Sequence, residues 1–169
     1  MNCVEKIKKM IILGVVNHVL TGTRFFNLKR MLLNLCFGIQ VGANSKVVGP
    51  VYLPLISSLK IGRDTWVGKS LEITGNGNVI IGNHCDIAPT VRFITGSHRI
   101  GPHERRAGEG YNGTIVVGDG TWIGAGVLLL PGIQIEDGTV VGAGAVVNRS
   151  LQADRVYAGN PAREIKMLE

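Results

Sequence analysis

The sequence predicts an all-β rod, a parallel β-helix of short strands wound as a triangular prism, with a helical segment at its N-terminal end. Three observations predict it. From residue 117 to 151 an aliphatic side chain opens every sixth position (Val117, Ile123, Leu129, Ile135, Val141, Val147), and a small or apolar one falls four later (Thr121, Val127, Ile133, Thr139, Ala145, Leu151). Glycine, 24 of 169 residues, punctuates these hexads at the positions where tight turns need a positive φ. Aromatic residues make up only 5% of the chain although 45% is hydrophobic, a balance that suits a core of stacked aliphatic side chains. A period of six fits neither the 3.6 of a helix nor the plain alternation of a long strand. Three hexads, about 18 residues, make one turn, and turns stack at strand spacing, about 4.8 Å.

Taken in order, residues 1–38 read as an N-terminal helical cap. Residues 3–20 (CVEKIKKMIILGVVNHVL) begin basic and then turn apolar for about eleven positions, too short a run to span a bilayer and without a cleavage site after it. After Thr21-Gly22-Thr23, residues 24–38 (RFFNLKRMLLNLCFG) place Phe25, Leu28, Leu32 and Leu35 on one stripe and Arg24, Lys29 and Arg30 largely elsewhere. Two helices of this kind would cover the open end of the rod and hide its edge strand. The same basic, apolar segment, residues 3–36, could also rest against an anionic membrane surface.

Residues 39–157 form the rod. Its hexads begin at Val41-Gly42, continue at Val47 and Val51, slip by two residues in LPLISSLK before Ile61, and slip again at GNGN before IGNHCD; bulged corners absorb such slips without breaking the core. Cys85 falls on an inward position of a rung and reads as a small buried hydrophobe. Between Phe93 and Val117 lie 24 residues, a multiple of six, yet the intervening stretch shows no clean hexad. Residues 95–114 therefore leave the rod as an extruded loop, and it carries two of the four histidines, adjacent arginines, two glutamates and a tyrosine. A long polar insertion in a regular solenoid is where chemistry is expected. Residues 158–169 form a C-terminal tail, with Pro161 ending the last strand so that the tail can run along a groove.

The formal charge of +6 could serve an anionic lipid, a phosphorylated ligand or a nucleic acid. No RNA-binding aromatic motif, zinc-knuckle spacing or block of like charge is present, so a nucleic-acid partner is not expected. Three scattered cysteines (Cys3, Cys36, Cys85) make no disulfide framework and point to a reducing cytoplasm.

The run IGNHCDIAPTVRFITGSH, the extruded loop, VVGDGTWIGAGVLLLPGIQIEDGTVVGAGAVV and the tail VYAGNPAREI resemble the hexapeptide-repeat acyltransferases, in particular the galactoside, maltose and capsular-sugar O-acetyltransferases. The resemblance covers roughly residues 61–166. It implies a left-handed coil, acetyl-CoA as acetyl donor, no metal, a saccharide acceptor and a homotrimer with its sites between subunits. It makes His98 the general base, a role in which an imidazole removes the hydroxyl proton as the oxygen attacks the thioester carbonyl. Arg105, Gly108, Glu109 and Tyr111 match galactoside-type residues, which makes Glu109 the group that orients His98, and Arg105 and Tyr111 acceptor contacts.

The backbone N–H of Ala125 maps onto the family's oxyanion donor. Trp122, at an outward position, maps to a wall of the pantetheine groove or a subunit contact. Ala143, Gly144 and Ala125 supply backbone contacts to the coenzyme, while Arg149 and Arg163 match the cations around its phosphates. Where the galactoside enzymes carry an acceptor-binding Asn, this chain has Ser70 beside Lys69, which implies a different acceptor or a different grip on it. The helical N-terminus is closer to the capsule and cell-surface polysaccharide enzymes, implying a role in polysaccharide biosynthesis at the inner face of the membrane.

Other activities of the same fold predict different observations. N-acetylation or serine O-acetylation would use nearly the same parts. A γ-type carbonic anhydrase would need His98, His103 and His84 to converge on zinc. A silent scaffold would give no reason for a His-bearing loop beside an arginine tail.

Overall fold

The computed structural model describes residues 2–169. Two helices, α1 (Cys3–His18) and α2 (Phe26–Asn34), precede the solenoid. Its first turn is β1 (Ile39–Val41), β2 (Lys46–Val47) and β3 (Val51–Tyr52); the second is β4 (Ser58–Ile61), β5 (Trp66–Val67) and β6 (Leu71–Thr74); the third is β7 (Asn78–Ile81), β8 (Asp86–Ile87) and β9 (Arg92–Ile94). The chain then leaves the rod as an arm of β10 (Gly96–Ile100) and β11 (Ala107–Asn112). It returns for a fourth turn, β12 (Ile115–Val117), β13 (Trp122–Ile123) and β14 (Leu128–Leu129), and a fifth, β15 (Gln134–Ile135), β16 (Val140–Val141) and β17 (Val146–Val147). It closes with β18 (Arg155–Ala158) and β19 (Arg163–Met167).

The strands sort into three faces. Face one stacks β1-β4-β7-β12-β15, face two β2-β5-β8-β13-β16-β18 with β19 at its end, and face three β3-β6-β9-β14-β17. The rungs pair in parallel, and the hexad positions named from the sequence all point inward: Ile123, Leu129, Ile135, Val147, Val127, Thr139 and Ala145 have no exposed surface. Each aliphatic side chain of this size contributes about 1.5–3 kcal/mol when fully buried. Register shows where the slips are taken up. Leu59 pairs with Val79, a step of 20 residues, whereas Val117 pairs with Ile135, a step of 18. The extra pair sits in the corners before β4 and β7, and the core runs on unbroken through both.

Along the start of face two the inward position is polar. Ser45 Oγ donates to Gly62 O (2.6 Å), Thr65 Oγ1 to Gly82 O (2.9 Å) and Cys85 Sγ to Gly118 O (3.1 Å), each reaching one rung onward. Cys85 is buried, as expected, but as a weak donor in a column of hydroxyls; burial pushes its thiol pKa up.

The helices cover the first turn through side chains that imitate strand partners. The Asn17 amide donates to Val51 O and accepts from Val51 N (both 2.8 Å), and the Asn34 amide does the same with Val41 (3.0 and 2.7 Å). Two asparagines thus pair the open edge that the rod would otherwise present. Two lysines have no exposed surface. Lys9 Nζ donates to Leu55 O and Ser57 O (2.8 Å each); Lys29 Nζ donates to Gly22 O (2.6 Å) and Val48 O (2.9 Å) and lies 4.7 Å from the Phe26 ring centroid. Burial lowers both ammonium pKa values. This overturns the expected orientation of α2. Its sequence predicts that the Phe25-Leu28-Leu32-Leu35 stripe covers the rod, yet Phe25, Leu28 and Leu35 are 64%, 39% and 49% exposed. Lys29 and Leu33 face inward instead, because carbonyls at the rod's end demand donors that no apolar side chain supplies.

Candidate active site

Two edges of the prism are built on the same corner, yet they treat their backbone differently. At the edge from face one to face two, the second corner residue of three successive rungs has its N–H capped by the next rung. Arg63 N donates to Asn83 Oδ1 (2.9 Å), Asn83 N to Asp119 Oδ1 (2.8 Å) and Asp119 N to Asp137 Oδ1 (2.8 Å). The bonds from Asn83, donated by both its side chain and its backbone N–H, hold the Asp119 carboxyl below its usual pKa.

At the edge from face two to face three, the equivalent residues are Lys69, Pro89, Ala125 and Ala143. The third corner residues still zip the rungs together: Thr90 N donates to Lys69 O (2.8 Å), Gly126 N to Pro89 O (3.0 Å) and Gly144 N to Ala125 O (2.8 Å). The Ala125 and Ala143 N–H groups, however, have no acceptor among the described residues, and both residues are exposed. Gly124 keeps the rungs this close, since a Cβ there would lie 2.5 Å from Ala143 N. The result is a column of bare donors on a convex edge, available to an oxygen-rich ligand.

Both flanks of this edge are hollowed. On face two, Trp66, Asp86, Pro89 and Trp122 line one depression, with Asp86 paired in register between the two indoles and Trp122 57% exposed. The Phe26 ring of α2 supports Trp66 edge-on at 5.6 Å between ring centroids. On face three, Ser70 lines a second depression with Tyr52, Glu72, Thr90 and Arg92. Sequence reasoning does not single out Trp66, Asp86, Tyr52, Glu72 or Arg92. A signal for them exists: each is an outward hexad residue, and Tyr52, Glu72 and Arg92 recur at one-rung intervals.

The arm is an antiparallel ribbon in place of the irregular loop expected. Its base is tied to the lengthened corner before β7, where Asn76 N donates to Asn112 Oδ1 (2.8 Å), and to Thr95, whose O accepts from Gly113 N (2.7 Å). His98 is exposed and faces Gly110 across the ribbon; its Nε2 lies 3.6 Å from where a Cβ on residue 110 would stand, so the ring occupies space that Gly110 leaves open. Glu109, one residue away, lies on the opposite side of the ribbon by strand alternation, and no His98–Glu109 hydrogen bond occurs among the described residues. Tyr111 pairs with Ser97, on that same opposite side, and carries the Arg99 guanidinium 5.6 Å from its ring centroid. Arg105 is at the tip, where its N–H closes a turn on Pro102 O (3.1 Å).

Topology separates the two halves of the expected site. The arm leaves after β9, at the edge from face three to face one, whereas Ala125 and Ala143 lie on the edge before face three. Within one chain the strands of face three lie between them. Arg149, exposed, follows β17 and so shares the arm's edge; Arg163, exposed, opens β19, with its Nη1 on Ala162 O (3.0 Å). The tail first crosses the end of the open edge, where Val146 N donates to Gly159 O (3.0 Å) and Ala162 N to Val146 O (2.8 Å). Pro161 marks a turn that folds β19 back antiparallel on β18, and this hairpin supplies the last rung of face two with a partner. His84 sits on the capped edge, away from the arm, and no three His, Cys, Asp or Glu side chains converge among the described residues.

Residues 114–149 match the family described as bacterial transferase hexapeptide (six repeats). Galactoside O-acetyltransferase of Escherichia coli is 36% identical over 126 residues, covering 75% of this chain and 62% of that protein. The putative colanic acid biosynthesis acetyltransferase WcaF of Escherichia coli is 34% identical over 137 residues, covering 81% and 74%. The structure of galactoside acetyltransferase in complex with coenzyme A superposes with a TM-score of 0.82 at 30% identity, over 98% of this chain and 81% of that one. The chain thus spans about three fifths of the first of these relatives and most of the other two.

Proposed function

Because the chain belongs to the hexapeptide-repeat acetyltransferases, we propose that it transfers an acetyl group from acetyl-coenzyme A to a hydroxyl of a saccharide, in the synthesis of a cell-surface polysaccharide. The observation that carries this reading is the column of bare N–H groups at Ala125 and Ala143, flanked by an exposed indole, in a molecule that also holds out an imidazole on an arm. The donor set fits the coenzyme. The bare N–H of Ala143 suits the amide-rich pantetheine chain, the N–H of Gly144 being spent on Ala125 O so that only its carbonyl is left to serve there; Trp122 offers an apolar wall, and Arg149 and Arg163 are exposed guanidinium forks for phosphate.

Acetyl-coenzyme A would supply an acetyl group activated as a thioester. His98 takes the proton of the acceptor hydroxyl as its oxygen adds to the carbonyl carbon, and returns that proton to the departing thiol. Ala125 N–H points a fixed dipole at the carbonyl oxygen as negative charge collects there. Glu109 would act by turning toward His98 once the arm is engaged, since it does not touch the ring in the free chain. Ser70, Arg105 and Tyr111 are the acceptor contacts in this reading, with Ser70 already in the hollow on face three. Unpaired cysteines fit a reducing cytoplasm.

The separation of arm and donor edge favours a cyclic trimer, in which the arm of one copy serves the open edge of the next. His98→Ala should lower kcat/KM by about 10²–10⁴-fold while coenzyme A still binds by calorimetry; unchanged turnover would remove His98 from its role. Co-assembly of His98→Ala with Ala125→Pro chains should regain part of the activity, because some sites then combine two intact halves. No recovery from any mixture would place the site within one chain.

A further inference from the structure

The N-terminal helices carry more apolar surface than the rod covers. On α1 the face toward the rod is Lys9, Ile12, Leu13 and Val16, and the face away from it is Val4, Ile7, Ile11 and Val15, at 70%, 48%, 58% and 36% exposure. At 100° per residue these four make one continuous stripe, and the exposed Lys8 borders it. Leu28, Met31 and Leu35 extend the exposed apolar surface on α2 and its C-cap. On α1 apolar residues thus line the outer side as well as the rodward one, and on both helices lysine-to-carbonyl bonds fix which side meets the rod.

Charge says what the outer face would meet. Residues 1–38 carry six of the chain's 18 cations and one of its 12 acids; with Lys9 and Lys29 buried, Lys6, Lys8, Arg24 and Arg30 are left to solvent against the one acid. The single acid, Glu5, falls on the rodward side of α1 and is partly buried. A second copy laid face to face on the stripe would bring Lys8 against its own kind with no acid on that face to meet it, at a cost in like-charge repulsion. An anionic surface with an apolar interior complements both features, with the apolar stripe entering the acyl boundary and Lys8 reaching back to headgroups. Among the described residues no helix is long and apolar enough to cross a membrane.

We propose that the outer face of α1 and α2 is a docking surface for an anionic lipid bilayer, on which α1 lies flat. The proposal stands apart from acetyl transfer: turnover on a soluble acceptor is independent of it. The test is cosedimentation of the full chain with phosphatidylcholine vesicles, with and without phosphatidylglycerol, at low and high salt. Binding should require phosphatidylglycerol, weaken with salt, fall at least about tenfold in Ile7→Glu/Ile11→Glu, and fall about fivefold in Lys8→Ala. Leu28→Glu/Met31→Glu reads the same face from α2 if the α1 variant does not fold. Binding by folded glutamate variants equal to that of the parent overturns the proposal. So does a parent that ignores phosphatidylglycerol. A fall in assembly mass of the glutamate variants by light scattering overturns it as well, assigning the face to a second copy.

Discussion

The two corner columns of the rod differ in what their second corner position does with a backbone N–H: one column caps it and the other leaves it bare. Where the second corner position carries Asn83, Asp119 and Asp137, each side chain reaches one rung back and caps a backbone N–H. Where it carries Ala125 and Ala143, the same N–H is left bare at an exposed edge. A solenoid has to satisfy its backbone rung by rung. An edge that declines to do so gives up about 0.5–1.5 kcal/mol per bond and keeps a fixed donor that costs nothing to reorganise when charge develops.

Ala125→Pro tests this contrast most severely. Pro89 already occupies this corner position one rung earlier, so the ring fits the local backbone and the change removes little besides a donor. It should lower kcat by about 10²–10³-fold with melting temperature nearly unchanged; full activity would dismiss Ala125 as the oxyanion donor. Grafting the capped pattern onto the open edge comes next. By analogy with Asp137 capping Asp119, an Ala143→Asn side chain should reach Ala125 N–H, raise the melting temperature by a few degrees and depress kcat. A variant that loses both stability and activity would show the two columns are not interchangeable.

The reverse substitution, Asp119→Ala, removes acceptors from the Asn83 backbone and side chain and should cost about 1 kcal/mol in denaturant melts, leaving kcat within about twofold. The smallest effect is in acid. The folded pKa of Asp119 lies below the ordinary carboxyl value of 3.8, so its contribution is present above that pH and is lost as pH falls through the folded value. The stability gap between the parent chain and Asp119→Asn should accordingly close in strong acid; a gap that widens would mean the carboxylate is not stabilised by folding.

Much of the rod is legible because a six-residue period has few structural solutions, and inward residues such as Ile123 and Val127 follow directly from it. The open corner is written in the same letters, as IGAG against VGDG, but periodicity treats the two alike. Only the rung-to-rung bonds reveal that Asp caps and Ala does not. The arm does not read as strand because its glycines and charges carry little β preference; its pairing comes from the Thr95 and Asn112 anchors at its base. For α2 the pattern of apolar residues predicts the wrong inward face, because amphipathicity weighs side chains against water while the end of this rod offers carbonyls.

The length of the arm bears on how such a molecule could be assembled from parts. Val79 pairs with Ile115, a step of 36 residues, or two ordinary turns, so the excursion spends one turn's worth of chain outside the stack and rejoins it in phase. Excising 96–113 would leave Phe93 and Val117 one hexad apart, the native spacing from Leu129 to Ile135. The truncated solenoid should wind without a seam, still offer its donor groove, and catalyse nothing. The arm is thus a cassette whose splice points the winding itself dictates, and a foreign ribbon of equal length could be spliced into the same place.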